Sequence, residues 1–277
     1  MARSSAPSGS AWSDADRAAE ALRREKATQI CDTLDAEYGT LTWRSHGEPL
    51  GALVMTILSQ HTSDKNSERA FDNLRRAFPN WDAVRMAEVD VIADTIRSGG
   101  LADAKAPRIK TVLQAIRERS GATSLDFLET LPTAEAREYL LDFHGVGPKT
   151  AACVLMFSLG RPVLPVDTHV FRVSHRLGLI EKRLGEAKAH DSLQALLPPE
   201  RVYPFHVHMI RHGRRVCIAQ RPRCNACVLS SLCDYYQEGA LGISSVPMKV
   251  PANARVETLH GMRSEAPGGD AMAEKSV

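Results

Sequence analysis

The chain has 277 residues, 43% hydrophobic and 25% charged, which excludes collagen-like, wholly disordered and disulfide-scaffold classes. Lys+Arg 35 against Asp+Glu 33 gives +2, too small a net charge to announce a polyanionic partner by itself. The longest apolar stretches, 52–58 (broken only by Thr56) and 151–157, have seven residues each against the ~20 that span a bilayer. The start MARSSAPSGSAWSD carries no apolar secretory region, so the expected compartment is the cytosol, with no membrane partner.

In chain order, residues 1–13 are rich in Ser, Ala and Pro and read as a disordered tail. Residues 14–37 are dominated by Ala, Leu, Arg and Glu and read as a helix. Apolar helical patterns follow at 49–59, 66–77, 86–97, 106–119, 134–142, 148–159 and 168–178. Pro79-Asn80, Gly99-Gly100, Gly121, Pro132, the Gly145–Gly147 stretch and Gly160 with Pro162 separate them. No alternating run longer than Arg161–Val166 resembles a strand, so the predicted class is all-α with short loops. The stretch 239–277 reads as a second disordered tail.

Residues 141–151, LDFHGVGPKTA, read as a tight turn at Gly145 and Gly147 between two helices, with Pro148 suited to the first helical position. Such a turn presents backbone N–H groups at a helix N-terminus, where an anion such as a backbone phosphate can bind. Lys149 falls in the first helical turn, where the dipole opposes a cation and favours the neutral, nucleophilic amine. A solvated lysine on an exposed turn is the plainer alternative. Asp167 precedes the pattern THVFRVSHRL and reads as an N-cap, a role compatible with facing a cation in a cleft.

Charge is unevenly spread. From Phe143 to Ile180 the sole acid is Asp167, and from Val202 to Cys233 there is none, among Arg211, Arg214, Arg215, Arg221 and Arg223. Of the six cysteines, Cys31 and Cys153 sit in helical patterns and read as small buried hydrophobes. Cys217, Cys224, Cys227 and Cys233 form C-x6-C-x2-C-x5-C. In a cytosolic chain this spacing points to a metal centre, zinc or an iron–sulfur cubane, rather than to disulfides.

GVGPKTAACVL, VDTHVFRV with its aspartate eighteen residues beyond the lysine, and the four-cysteine spacing together resemble the endonuclease III family. LSQHTSDKN at 58–66 and GLADAKA at 100–106 extend the resemblance, which covers about 20–236. It implies two helical lobes: a six-helix barrel with a helix-hairpin-helix over 42–161, and a [4Fe–4S] cluster domain combining 14–41 with 162–238. It further implies a monomer, nucleoid-associated if bacterial, that binds double-stranded DNA carrying a damaged base or an abasic site. Lys149 then matches the nucleophile, Asp167 its carboxylate partner, and Cys217, Cys224, Cys227 and Cys233 the cluster ligands. Leu101 matches a wedge into the base stack, His169 lies near a lesion-strand contact, and Asp64 matches the acid ending the entering loop. Gly145 and Gly147 would hold phosphate, and Arg221 and Arg223 would clamp it. His61 stands where the family usually places a glutamine; Gln60 is one position earlier.

The implied activity is that of a DNA glycosylase and abasic-site lyase of base excision repair. It would excise oxidised pyrimidines through a lysine Schiff base and cut 3′ of the site by β-elimination. The adenine-mismatch branch of the same superfamily usually lacks the lysine and carries an extra C-terminal domain. A non-catalytic DNA-binding module with structural zinc would not need Lys149 and Asp167 at this spacing, and a thiol redox protein would not need four clustered cysteines.

Overall fold

The computed structural model describes residues 13–181 and 183–240. The two expected tails lie almost wholly outside them; Ser13 instead caps the first helix, and Gly239 belongs to the last. Twelve α-helices are present among the described residues, with no strand. They are α1 (Asp14–Tyr38), α2 (Pro49–Leu58), α3 (Asp64–Ala77), α4 (Trp81–Met86), α5 (Val89–Ile96), α6 (Ala102–Ser120), α7 (Thr133–Leu141), α8 (Pro148–Phe157), α9 (Thr168–Arg176), α10 (Glu186–Gln194), α11 (Val202–Arg215) and α12 (Asp234–Ala240). None is long and apolar enough to cross a membrane.

The helix starts follow local chemistry. Ser13 and Asp16 close a reciprocal capping box on α1, and Ser63 and Asn80 cap α3 and α4 through their side chains. Proline opens α2 and α8, where its missing N–H costs nothing. Ser63 starts α3 two residues earlier than the apolar pattern suggests, because a cap acts before the first apolar position. The run Arg161–Val166 is extended but pairs with no strand; Gln194 Oε1 takes the Leu164 N–H at 2.6 Å.

Two hydrophobic cores form. The first lies under α2 to α8 and includes Leu53, Ile57, Leu74, Ile92, Ile109, Leu113 and Leu155. The second joins α1 to α9, α10 and α11 through Ile30, Leu34, Val170, Leu193 and Phe205. Burying each such side chain contributes about 1.5–3 kcal/mol. α8 serves both, since Val154 and Leu155 pack in the first core and Met156 in the second. The link from α1 to α2 crosses its C-terminal end, with Trp43 Nε1 donating to Met156 O at 2.7 Å and His46 N to Phe157 O at 3.0 Å. α8 therefore lies where the two cores meet.

Candidate active site and nucleic-acid face

The hairpin between α7 and α8 turns on one glycine. Val146 N–H donates to Phe143 O at 2.9 Å, and Gly145 holds φ +81°, a left-handed conformation. A Cβ there would also lie 2.5 Å from Arg108 Nε, so a side chain would have to push the Arg108 guanidinium aside. Gly147 plays a different part. Its φ of −93° is ordinary extended backbone, and it caps α8. Buried Val146 pins the turn, leaving the first-turn amides of α8 without intrahelical acceptors. It is at these amides that the sequence reading places an anion.

Lys149 stands half-buried in that first turn, one helical turn before Cys153 on the same face. Asp167 caps α9: its Oδ1 accepts from His169 N at 2.9 Å and Val170 N at 2.7 Å. Among the described residues no donor reaches its Oδ2, so one oxygen holds the helix and the other stays available. Burial pushes the Cys153 thiol up to about 11, with Lys149 lowering it and Asp167 raising it. Burial pushes His206 down to about 4, against the pull of Asp167 and with a smaller push from Lys149. The amine and the carboxylate thus act on the same two buried groups. His206 Nδ1 lies 2.8 Å from Pro165 O, which fixes the neutral ring as the Nδ1–H tautomer. With its thiol protonated, Cys153 is a weak nucleophile, and Lys149 is the candidate the sequence offers.

Two loops flank the hairpin, and each bears a strained residue. His61 (φ +53°) and Leu101 (φ +52°) are the non-glycine residues with positive φ among those described. Left-handed backbone costs an L-residue about 1–2 kcal/mol. Leu101 is also 58% exposed, a large apolar side chain held in water on strained backbone, which suits a wedge. His61 is exposed at its tip. Gln60 is not a second tip: its Oε1 accepts from Arg108 Nη1 at 2.7 Å, tying it toward the hairpin. Asp64 opens α3 and forms a two-pronged ion pair with Arg214 of α11, at 2.6 and 3.1 Å.

Cys217, Cys224, Cys227 and Cys233 line one small cavity together with Arg176, Arg223, Tyr235 and Tyr236. Among the described residues no three such side chains converge to hold a single bare ion. Burial raises the Cys224, Cys227 and Cys233 thiols, Cys227 to about 12, and neighbouring cysteines raise each further. Four mutually repelling thiolates around one space are the donor set of an iron–sulfur cubane, and their residues fit that group. The surroundings supply donors. Arg176 Nη1 lies 3.3 Å from Cys217 Sγ, and His212 Nε2 3.4 Å from Cys227 Sγ, with Tyr38 Oη 2.9 Å from His212 Nδ1.

The basic stretch divides in two. Arg172 spends its guanidinium on Cys217 O at 3.1 Å and Gly213 O at 2.9 Å, and also meets His169 Nδ1 at 3.1 Å. Arg176 takes Ile218 O at 2.8 Å and Ala219 O at 2.6 Å. These two arginines build the cysteine loop. Arg221 and Arg223 are exposed on it and remain available to an anion. Lys149, Asp167, His206 and the hairpin come together; the cysteines and Arg221 and Arg223 form a separate flank. Reasoning from sequence missed Lys105, Arg108, Arg172, Arg176, His206 and His212. The spacing of Arg172 and Arg176 on one helical face was the signal available for that pair.

A family model of the HhH-GPD superfamily base excision DNA repair proteins matches residues 54–199. Endonuclease III of Thermotoga maritima is 35% identical over 201 residues, covering 72% of this chain and 90% of that protein. A protein of Arabidopsis thaliana named for DNA glycosylase activity is 39% identical over 175 residues, and the chain spans 60% of its length. A solved endonuclease III–DNA complex superimposes with a TM-score of 0.68 at 26% identity, over 78% of this chain and 97% of that one. A thermostable thymine-DNA glycosylase, 22% identical with a TM-score of 0.66, shares the fold. On the family-model match and the 35% identity to an endonuclease III, this chain belongs to the HhH-GPD superfamily of base excision DNA repair proteins.

Proposed function

We propose that the protein is a DNA glycosylase with an abasic-site lyase activity, acting on oxidised pyrimidines in double-stranded DNA. The observation that carries this reading is a half-buried Lys149 in the first turn of α8 together with Asp167 capping α9 through one oxygen, in a chain of the base excision repair superfamily. The damaged nucleotide leaves the stack at a cost of a few kcal/mol, offset in part by Leu101 entering the gap. Phosphates rest on the hairpin amides at Gly145 and Gly147 and on Arg221 and Arg223. His169 stands near the lesion strand, and His61 faces the opposite one.

Lys149 Nζ then attacks C1′. The C1′–N bond breaks and its electron pair leaves with the base. Asp167 stabilises the positive charge on the sugar and helps deprotonate the attacking amine. The amine's nitrogen lone pair then opens the C1′–O4′ bond, O4′ taking a proton, and leaves a Schiff base at C1′ that acidifies the proton on C2′. Loss of that proton expels the 3′ oxygen and cuts the strand. Cys217, Cys224, Cys227 and Cys233 would hold a [4Fe–4S] cluster that supplies structural support to the 216–233 loop. Domain limits of 42–161 for the barrel, and of 14–41 with 162–238 for the cluster domain, go with this reading.

Borohydride trapping on a duplex with an abasic site tests it. Wild-type protein is expected to form a covalent complex. Lys149→Gln is expected to form none, while binding the same duplex within a few-fold. Asp167→Asn should slow base removal roughly a hundredfold, the scale of one preorganised charge stabiliser. It should slow cleavage of a preformed abasic site less, since no base departs there. Asn caps a helix about as well as Asp, so stability should hold. A Lys149→Gln protein that still traps would reject the lysine mechanism.

A further inference from the structure

Lys105 is the one buried lysine among the described residues, 4% exposed in the first turn of α6. Its Nζ donates to Leu58 O at 2.7 Å and to Gly99 O at 2.9 Å. No carboxylate pairs with it among the described residues, so two carbonyls are its named compensation for leaving water. An apolar side chain would fill that space at lower cost. The two carbonyls are informative. Leu58 ends α2 three residues before His61, and Gly99 ends a short 3-10 turn two residues before Leu101. One ammonium therefore clamps the bases of both loops whose tips carry left-handed backbone.

Arg108, one turn further along α6, continues the seam. It holds Gln60 of the first loop and lies against Gly145 of the hairpin. Gly99 reinforces the second loop, because a Cβ there would sit 2.9 Å from Ala70 of α3.

We propose that Lys105 is a positioning residue for nucleotide extrusion: it fixes the separation of the His61 and Leu101 tips so that both enter the duplex as one unit. This inference rests on the glycosylase reading. Freed from the clamp, either tip can relax to ordinary φ and withdraw. A displacement on the scale of 1 Å at a reacting assembly can cost about a hundredfold in rate. Lys105 touches no phosphate in this arrangement, so binding to undamaged duplex is a separate quantity.

The test uses a duplex containing a tetrahydrofuran abasic analogue beside 2-aminopurine, whose fluorescence rises on unstacking. Lys105→Met, of similar length and uncharged, is compared with wild type and with Leu101→Ala, each below its own melting temperature. Lys105→Met is expected to lose most of the fluorescence gain, as Leu101→Ala does. Base removal under single turnover should fall about tenfold to a hundredfold. Affinity for undamaged duplex should stay within twofold. A merely structural role would lower the melting temperature and leave unstacking intact in the folded protein. Should Lys105→Met fail to fold, Lys105→Gln, which keeps N–H donors on a shorter arm, carries the same comparison with an intermediate loss. A folded variant with wild-type unstacking and base removal overturns the inference. Wild-type protein that unstacks nothing overturns the glycosylase reading instead.

Discussion

The core under α2 to α8 holds no buried histidine, whereas the core joining α1 to α9, α10 and α11 holds His190, His206, His208 and His212, all 7% exposed or less. The first core closes by aliphatic and aromatic packing, with Trp81 and Phe143 buried in it and Lys105 the buried cation of its helices. The second contains rings that must find partners: Pro165 O for His206, Leu164 O for His190, Tyr38 and Cys227 for His212. Its outer loop, 216–233, has only short 3-10 turns as regular structure. Arg172 and Arg176 hold that loop by its carbonyls. One half of the molecule is thus specified by hydrophobic pattern and the other by polar satisfaction, so the second should be the more sensitive to metal and to pH.

The largest expected effect follows from the cysteines. Losing one ligand removes binding energy that is also folding energy, on the order of 10 kcal/mol for a structural metal site. Cys227→Ser, or removal of iron, is expected to expose 216–233 to trypsin while 49–157 stays protected. Mass mapping of the fragments reads this directly. Iron analysis of wild-type protein should find about four irons per chain, as a cubane requires. Cleavage spread evenly over both halves would mean that they fold as one unit and would erase the contrast.

Acid should separate the halves next. His206 titrates at about 4 when folded against an ordinary 6.5, chiefly because it is buried. Between those values the unfolded chain binds the extra proton, so stability present above pH 6.5 is lost as the pH falls toward 4. The loss attributable to this ring is about 3 kcal/mol at most. Urea midpoints at pH 7 and pH 4.5 measure it. His206→Gln should flatten the difference, and an unchanged slope in that variant would remove His206 as the cause.

The same contrast explains which parts were legible in advance. α1, α2, α3 and α5 to α9 carry clear apolar periods or strong caps and were anticipated to within a few residues. α4 has six residues, too few for a period to register. α11 reads VYPFHVHMIRHGRR, and its buried face includes His206, His208 and His212, which a hydrophobic pattern scores as polar. Lys149, Asp167 and the four cysteines were singled out in advance by their motifs and by the resemblance those motifs carry. Lys105 and Arg108 were not, since nothing local distinguishes a lysine that will be buried under two distant carbonyls from one in water. The nature of the Gly145 turn was foreseen, but Gly147 proved to be an extended cap. Periodicity and spacing are local signals; partnership across the fold is not.

The smallest effect concerns the basic stretch, where the contrast runs between neighbouring arginines. Arg221 and Arg223 are exposed on the cysteine loop, whereas Arg172 and Arg176 are committed to its carbonyls. A phosphate contact releases about 0.9 counterion from duplex DNA. Arg221→Ala and Arg223→Ala should each reduce the slope of log affinity against log salt by about one, equally for damaged and undamaged duplexes, with melting temperature unchanged. Arg172→Ala should do the reverse. It leaves two carbonyls without their donor, so melting temperature falls while the salt slope of the folded fraction is kept. Titration of both duplexes from 50 to 200 mM salt, beside thermal melts, gives the two readouts on the same samples. If Arg221 and Arg223 affected damaged DNA alone, they would be reading the lesion, and the loop would belong to the recognition site rather than to the backbone clamp.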